Sequence, residues 1–214
     1  MIEIFLSRPT MIEEKFQSGL QGFLNILKNL EFNPRTLGAS DYPNKAPLDE
    51  VILLMSKCKG AIVLGYPQIY SSNSIIKGTK TKEKIILPTE WNHIEASLAY
   101  SKKLPLLIIH QLGIQRGVFD HGALNCFIYG IDLSTENWAI KENITGALKK
   151  WKDEVKNYKP FVNQLKSDES NPICPNCSTN EKKFYLSPIG AIFAREMNAN
   201  YECSKCGFTK MVNK

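Results

Sequence analysis

Four cysteines near the end of the 214-residue chain constrain its fold more than any other feature. They form two C-x-x-C pairs separated by twenty-five residues: Cys174, Cys177, Cys203 and Cys206. Two such turns offer the four thiolates that a structural zinc ion takes in a tetrahedral site, whereas a redox pair is the alternative use of a C-x-x-C turn. Gly207 follows the second pair and suits the tight turn there. We therefore predict that residues 172–214 form a zinc ribbon around one structural Zn²⁺.

A fold of this size buries too little apolar surface to be stable alone, so metal ligation would supply most of its stability. The expected strands of the zinc ribbon lie at 183–185, at 191–194 and around Tyr201. The tail contains no histidine or other candidate ligand beside the four cysteines, which argues against a catalytic zinc ion.

Ahead of the cysteines, short apolar runs alternate with segments of helical periodicity. The predicted strands are 2–6, 32–37, 61–64, 105–109 and 127–131. The predicted helices are 11–30, 48–57, 89–103 and 140–158. This alternation is typical of a parallel sheet with helices on both faces. We therefore predict an α/β domain over residues 1–160, with a doubly wound parallel sheet of about five strands, joined to the zinc ribbon by a linker at 161–171.

In such a sheet, ligands bind in a crevice outside the carboxyl ends of the strands. The loops that follow Leu6, Leu64 and Ile109 are therefore expected to face one common crevice. The second of these is predicted to be a long polar loop, from Gly65 to Leu87, and it carries a basic cluster at 77–84. Loops of this length are uncommon unless they are functional or mobile.

The composition argues against several classes of protein. The N-terminus lacks the basic start and long apolar run of a signal peptide, and no stretch approaches the roughly 20 apolar residues that cross a bilayer. We therefore expect a cytoplasmic protein with no membrane association, in which Cys58 and Cys126 are small buried hydrophobes rather than disulfide partners. The formal net charge of +6 fits either a solvated face or a surface that binds nucleic acid.

The most informative stretch for chemistry is 88–105. Thr89 is expected to cap a helix, which places Glu95 on an early turn near the rim of the crevice, where the helix N-terminus favours the ionised carboxylate. A carboxylate there would stabilise positive charge on a ribose carbon, as cleavage of an N-glycosidic bond requires. The alternative is that Glu95 is merely a solvent-facing residue of an amphipathic helix. The expected core positions of this helix are Ile94, Leu98 and Ala99.

Other polar and aromatic residues of this region have two interpretations each. Trp91 would either stack on a base or anchor the helix against the sheet, and His93 would be either a proton shuttle or an exposed polar residue. The loop after the fourth strand, with Arg116, Asp120 and His121, would complete the crevice. The alternative for Asp120 and His121 is that they are loop residues with no role.

Over residues 2–135 the chain resembles, in order, the TIR-domain family. The segment Ile4-Phe-Leu-Ser-Arg8 is similar to the family's first strand and the basic residue after it, and Ala61-Ile-Val-Leu-Gly65 is similar to its third strand. Thr89-Glu-Trp-Asn-His-Ile-Glu95 resembles the family's S-x-W-C-x-x-E segment, whose glutamate is catalytic in members that cleave NAD. The chain departs from this motif in having Thr89 for the serine and Asn92 for the cysteine.

The resemblance implies a flavodoxin-like fold that binds a nucleotide, with NAD as substrate. It implies that Glu95 is the catalytic residue and engages the nicotinamide-side ribose. It implies nucleotide-binding roles for Ser7, Arg8, Gly65 and Trp91. Many TIR proteins act only as assemblies and bacterial ones often serve in antiphage defence, so self-association or a protein partner is expected.

The segment around Glu95 also resembles nucleoside 2-deoxyribosyltransferases, whose helix carries a proline ten residues after the nucleophilic glutamate. Pro105 keeps that separation, although the flanking glycines of that family are absent. Three hypotheses follow: an NAD glycohydrolase or ADP-ribose cyclase, a module that senses a nucleotide without cleaving it, and an enzyme that acts on another nucleoside or nucleotide. The zinc ribbon would contact nucleic acid through Lys182, Lys183, Phe184, Tyr185 and Lys205. The alternatives are that it docks onto a protein partner or simply caps the fold.

Overall fold

The computed structural model describes residues 1–42 and 46–158 and, beyond them, the backbone of 184–186, 198–203 and 209–213. In chain order the strands are β1 (Ile2–Ser7), β2 (Phe32–Arg35), β3 (Ala61–Gly65), β4 (Ile69–Ser71), β5 (Ile75–Ile76), β6 (Thr79–Lys80), β7 (Ile85–Leu87), β8 (Leu106–Gln111), β9 (Phe127–Ile131), β10 (Phe184–Leu186), β11 (Asn198–Cys203) and β12 (Thr209–Asn213). The α-helices are α1 (Gln17–Asn29), α2 (Pro47–Ser56), α3 (Glu90–Ser101) and α4 (Glu142–Asn157).

Five of these strands form a central sheet in the order β2-β1-β3-β8-β9, and each neighbouring pair is parallel. Counted along the chain, this is the 2-1-3-4-5 order of flavodoxin-like sheets. Every residue of β3 is buried because helices cover both faces of the sheet, which explains its uninterrupted apolar sequence. The predicted α/β architecture with about five parallel strands is confirmed.

Alternate side chains of each strand point to opposite faces of the sheet, so the core has two halves. One half, with Leu6 and Leu64, packs beneath α1 and α4. The other half, with Phe5 and Val63, packs beneath α2 and α3. We call these two sides the α1 face and the α3 face. Both faces extend to the edge of the sheet formed by the carboxyl ends of the strands. The crevice was expected at that edge.

Local signals in the sequence set where the helices begin. Pro47 occupies the first position of α2, where a missing N–H group is no loss. The Thr89 hydroxyl accepts a hydrogen bond from the backbone N–H of Asn92 over 3.2 Å and so caps α3, as predicted. α1 begins at Gln17 rather than near residue 11, because a 3₁₀ turn, Glu14–Phe16, precedes it.

The segment between β3 and α3 differs from the predicted polar loop. β4 pairs antiparallel with β7, and β5 pairs antiparallel with β6, so residues 69–87 form a two-tier β-hairpin, which we call the long hairpin. Lys77 and Gly78 close its tip with φ angles of 49° and 80°, as a two-residue hairpin turn requires. The prediction of an irregular loop was wrong because strands of two or three residues are too short to show alternation in the sequence.

β10, β11 and β12 form an antiparallel sheet of their own. β10 and β11 lie where strands were predicted near 183–185 and around Tyr201, whereas β12 was not predicted. Cys203 is the last residue of β11. Cys174, Cys177, Cys206, the predicted strand at 191–194 and the linker lie outside the described residues, and the zinc ribbon stays a prediction.

Within the part of the chain that the structure describes, no helix has both the length and the apolar character needed to cross a lipid bilayer.

Candidate active site

Glu95 lies on the side of α3 that packs against the sheet. Glu95 is only 8% exposed, whereas Ile94, which was predicted to be a core residue, is 40% exposed. The prediction for Ile94 was wrong because α3, which begins after Thr89, packs a different set of positions against the sheet. These buried positions are Asn92, Glu95, Ala96 and Ala99. Glu95 is therefore not the solvent-facing residue of an amphipathic helix.

Hydrogen bonds join the start of α3 to the end of β1. The side-chain amide of Asn92 donates to the Ser7 hydroxyl oxygen over 2.8 Å. The Thr89 hydroxyl donates to the side-chain oxygen of Asn92 over 3.0 Å, which holds the amide in this orientation. Ser7 is also hydrogen-bonded to the Glu95 carboxyl group. Ser7, Asn92 and Glu95 therefore form a buried polar cluster at the carboxyl end of β1 on the α3 face.

The carboxyl group of Glu95 is electrostatically unusual. Burial raises its pKa from the ordinary value of 4.5 to about 7, although the hydrogen bond from Ser7 acts in the opposite direction. No cationic side chain among the described residues contributes to this shift. The helix N-terminus was expected to keep Glu95 ionised, and burial outweighs it. Perturbed pKa values of this kind cluster at functional sites.

Aromatic side chains cover the carboxyl end of β3 on the same face. A Cβ atom added to Gly65 would lie 2.6 Å from Cε1 of Phe119 and 2.8 Å from Cβ of His110. The Phe119 ring meets the rings of His110 and His93 edge-on, with centroid distances of 5.5 and 5.3 Å. Burial lowers the pKa of both histidines, so both are mainly neutral at pH 7. The side chains of Phe119 and His110 thus occupy the space over Gly65 on the α3 face.

Arg8 directly follows Ser7, yet its side chain goes to the α1 face. There it interacts electrostatically with Tyr66, which is fully buried and whose ring lies 5.4 Å from that of Phe16. The Nε atom of Arg8 and the hydroxyl of Tyr66 are buried and have no hydrogen-bond partner among the described residues. Burial lowers the pKa of Arg8 and raises that of Tyr66. The sheet therefore separates the Arg8 side chain from the Glu95 cluster.

A cavity of about 450 Å³ lies between α1 and β2 on this face. Its wall includes Leu6, Arg8, Leu24, Lys28 and Thr36, but not Glu95 or Ser7.

The remaining candidates lie outside the Glu95 cluster. Trp91 is 40% exposed, so it does not anchor α3 against the sheet. The Asp120 carboxylate accepts a hydrogen bond from the backbone N–H of Arg116 over 2.7 Å, while His121 is exposed. Pro105 lies at the amino end of β8, so its ten-residue separation from Glu95 brings no second group to the site.

Three polar residues near these strand ends were not predicted as site residues. Tyr66 follows β3, and His110 lies near the end of β8. Both could have been predicted from the sequence, because each is a polar residue at the carboxyl end of a buried strand. Asn92 was noted only as a departure from the family motif. Its buried hydrogen bond to Ser7 spans 85 positions of the chain and has no signal in the local sequence.

No family model matches the chain, and no curated protein matches it. One matching solved structure contains the TIR domains of the activated Roq1 resistosome, which directly recognises the pathogen effector XopQ. The two chains are 11% identical, the match covers 73% of this chain and 82% of that chain, and the TM-score is 0.33.

Proposed function

We propose that this chain is a TIR-like enzyme that cleaves the N-glycosidic bond between nicotinamide and ribose in NAD, with Glu95 as the catalytic residue. The buried cluster of Glu95, Ser7 and Asn92 supports this most strongly. It lies at the carboxyl ends of parallel strands, the edge at which α/β sheets of this order bind ligands. Within the described part of the chain this buried carboxyl group has no cationic partner, which suits a ligand that brings positive charge.

Cleavage develops positive charge on the ribose. When the bond between ribose C1′ and the nicotinamide nitrogen breaks, its electron pair stays on the nitrogen and nicotinamide leaves as a neutral ring. The ribosyl group becomes oxocarbenium-like, and a carboxylate beside it stabilises that charge. Water adds to C1′ and loses a proton to give ADP-ribose, or a group within ADP-ribose adds instead to give a cyclised product.

The environment of Glu95 would favour the transition state over the bound substrate. Burial disfavours the carboxylate in the free protein, and a positive charge on the ribose would offset that penalty. In bound NAD the positive charge lies on the nicotinamide ring, and it moves to the ribose, beside Glu95, only as the bond breaks. Because only interactions that are stronger in the transition state accelerate a reaction, this shift of charge would contribute to catalysis. Ser7 and Asn92 would hold the carboxyl group in place.

The nucleotide-binding roles of Ser7, Arg8, Gly65 and Trp91 belong to the same proposal. Arg8 would bind a phosphate oxygen through its guanidinium group if the dinucleotide passes over the end of β1 to the α1 face, where Arg8 lines the cavity. Trp91 exposes enough of its ring to stack on a base.

The test is nicotinamide release from NAD at high protein concentration, since the TIR resemblance implies that assembly is needed. Glu95→Gln keeps the shape of the side chain and is expected to lower the rate by about a hundredfold or more. Glu90→Gln is the matched control, because Glu90 is an exposed glutamate on the same helix. Equal rates for the two variants would refute Glu95 as the catalytic residue.

The other two hypotheses are separate outcomes of this assay. NAD binding without nicotinamide release would support the sensing module. Base release from other nucleosides or nucleotides, with NAD left intact, would support the third hypothesis.

For the C-terminal region we propose a structural Zn²⁺ bound by Cys174, Cys177, Cys203 and Cys206. The antiparallel pairing of β10, β11 and β12 supports a zinc-ribbon fold, and the four thiolates suit tetrahedral zinc. Metal analysis should find about one zinc per chain, lost in Cys203→Ser and kept in Cys126→Ser. Wild-type protein without zinc but with this sheet intact would refute the site.

The TIR resemblance further leads us to propose self-association and a role in antiphage defence. Specific activity should then rise with protein concentration. A specific activity that is constant over the concentration range would contradict a required assembly.

A further inference from the structure

The long hairpin carries a concentrated positive charge that the proposed reaction does not use. It contains four lysines and one acidic residue, Glu83. All four lysines are exposed: Lys77, Lys80, Lys82 and Lys84. None of the four forms an ion pair within the described part of the chain. The ammonium group of Lys84 lies 4.8 Å above the Tyr70 ring. Lys77, Lys80 and Lys82 are therefore available to an external anion, whereas Lys84 also interacts with the Tyr70 ring and with the Glu13 carboxylate.

The base of the long hairpin is fixed to the rest of the domain on two sides. The Tyr70 hydroxyl donates to the Glu13 carboxylate over 2.5 Å, and the side-chain amide of Gln68 donates to the Met11 carbonyl over 3.3 Å. On the other side Ile86 forms a parallel bridge to Ile114 in the loop after β8. Because the base is held in place, little ordering entropy is lost when the long hairpin binds a partner.

The outer tier of the long hairpin, which β5 and β6 form, is a two-stranded ribbon. Ile75 pairs with Lys80, and the backbone N–H of Thr81 donates to the Ser74 carbonyl over 2.8 Å. Between the tiers the pairing shifts by one residue, and Asn73, with a φ of 54°, lies at the shift. The extra residue lies on the opposite side, in residues 81–84, and a bulge of this kind increases the twist of a ribbon.

The long hairpin also carries several small polar residues, both before and between its lysines. Hydroxyl or amide groups are carried by Ser71, Ser72, Asn73, Ser74, Thr79 and Thr81. Lysine, serine, threonine and asparagine side chains supply many of the contacts that proteins make to nucleic-acid phosphates. The composition therefore favours a polyanion over an acidic protein surface.

We propose that the long hairpin binds duplex DNA through the phosphate backbone. The major groove of B-form DNA, about 12 Å wide, admits a two-stranded β-ribbon, whereas the major groove of A-form RNA is too narrow for side chains to read. Lysine–phosphate contacts make such binding dependent on salt and largely independent of sequence. The four lysines of the long hairpin are different residues from those of the Glu95 cluster and from the basic residues of the predicted zinc ribbon. DNA binding by the long hairpin does not depend on NAD cleavage.

The test measures binding of the full chain to a fluorescent DNA duplex of about 25 base pairs between about 50 and 200 mM salt. If all four lysines contact phosphates, log affinity against log salt has a slope of about −3 to −4. The double variant Lys77→Gln with Lys80→Gln is expected to make that slope shallower by about 2. The control is the double variant Lys59→Gln with Lys149→Gln, which removes the same amount of charge. Lys59 is exposed just before β3, and Lys149 is exposed on α4. This control should keep the wild-type slope of log affinity against log salt.

Several results would overturn the proposal. One is the absence of DNA binding at about 50 mM salt, and another is an equal loss in both double variants. Tighter binding to an RNA duplex of equal length, or to vesicles of phosphatidylcholine and phosphatidylserine, would assign the surface to another partner. Loss of DNA binding in Cys203→Ser, with full binding retained in Lys77→Gln with Lys80→Gln, would assign DNA binding to the C-terminal region instead.

Discussion

α3 and α4 cover opposite faces of the same sheet, and they bury different chemistry. The buried positions of α4 are all apolar: Ile144, Ala147, Leu148, Trp151 and Val155. Those of α3 include the Glu95 carboxyl group and the Asn92 amide. A helix that only stabilises a sheet has no reason to bury a carboxyl group, because that burial is unfavourable. The difference indicates that α4 serves stability, whereas α3 accepts a loss of stability at the edge where ligands bind.

The largest effect that tests this comparison is expected in α4. Trp151 is fully buried, its indole N–H donates to the Pro105 carbonyl over 3.0 Å, and its ring lies 5.2 Å from that of Phe32. Trp151→Ala should lower the free energy of unfolding by about 3–5 kcal/mol, measured by urea denaturation. Lys149→Ala changes an exposed residue of the same helix and should have little effect. Similar losses in the two variants would show that α4 does not carry the stability assigned to it.

A smaller effect, of opposite sign, is expected in α3. The pKa of Glu95 is about 7 in the folded chain, and its ordinary value is 4.5. Between these two values the unfolded carboxyl group ionises while the folded one stays protonated, so stability falls as the pH rises and stays lower above pH 7. Glu95→Gln removes this penalty and should stabilise the chain by up to about 3 kcal/mol near pH 8, with little change near pH 4.

The same urea denaturation series decides the α3 prediction. Glu90→Gln, on the exposed side of α3, should show no such pH dependence. Destabilisation by Glu95→Gln at both pH values would mean that the carboxylate contributes to stability, and α3 would then resemble α4.

Apolar pattern was sufficient to predict the sheet and most of its helices. β9 has the predicted limits, and β1 and β3 differ from the prediction by one residue, because continuous apolar runs between polar turns have few other folds available. The Thr89 cap and the Pro47 start were also predictable, since both depend on neighbouring residues alone.

The site was predictable only in part. The position of Glu95 on α3 followed from the Thr89 cap, but its burial did not, because Ile94 is the more apolar neighbour and yet faces outward. Strand alternation places Ser7 and Arg8, adjacent in the chain, on opposite faces. The sequence does not reveal the tertiary contacts that each then makes, Asn92 with Ser7 and Tyr66 with Arg8.

The pH dependence of nicotinamide release tests most directly whether the buried carboxyl group is the catalytic one. If the ionised carboxylate of Glu95 stabilises the transition state, kcat/KM should rise with pH and reach half of its plateau near pH 7, the pKa of Glu95. Glu95→Gln should abolish this rise together with most of the activity, and Glu90→Gln should keep both. A wild-type rate that does not change across this pH range, or a Glu95→Gln variant with the same rise, would contradict the central role given to Glu95.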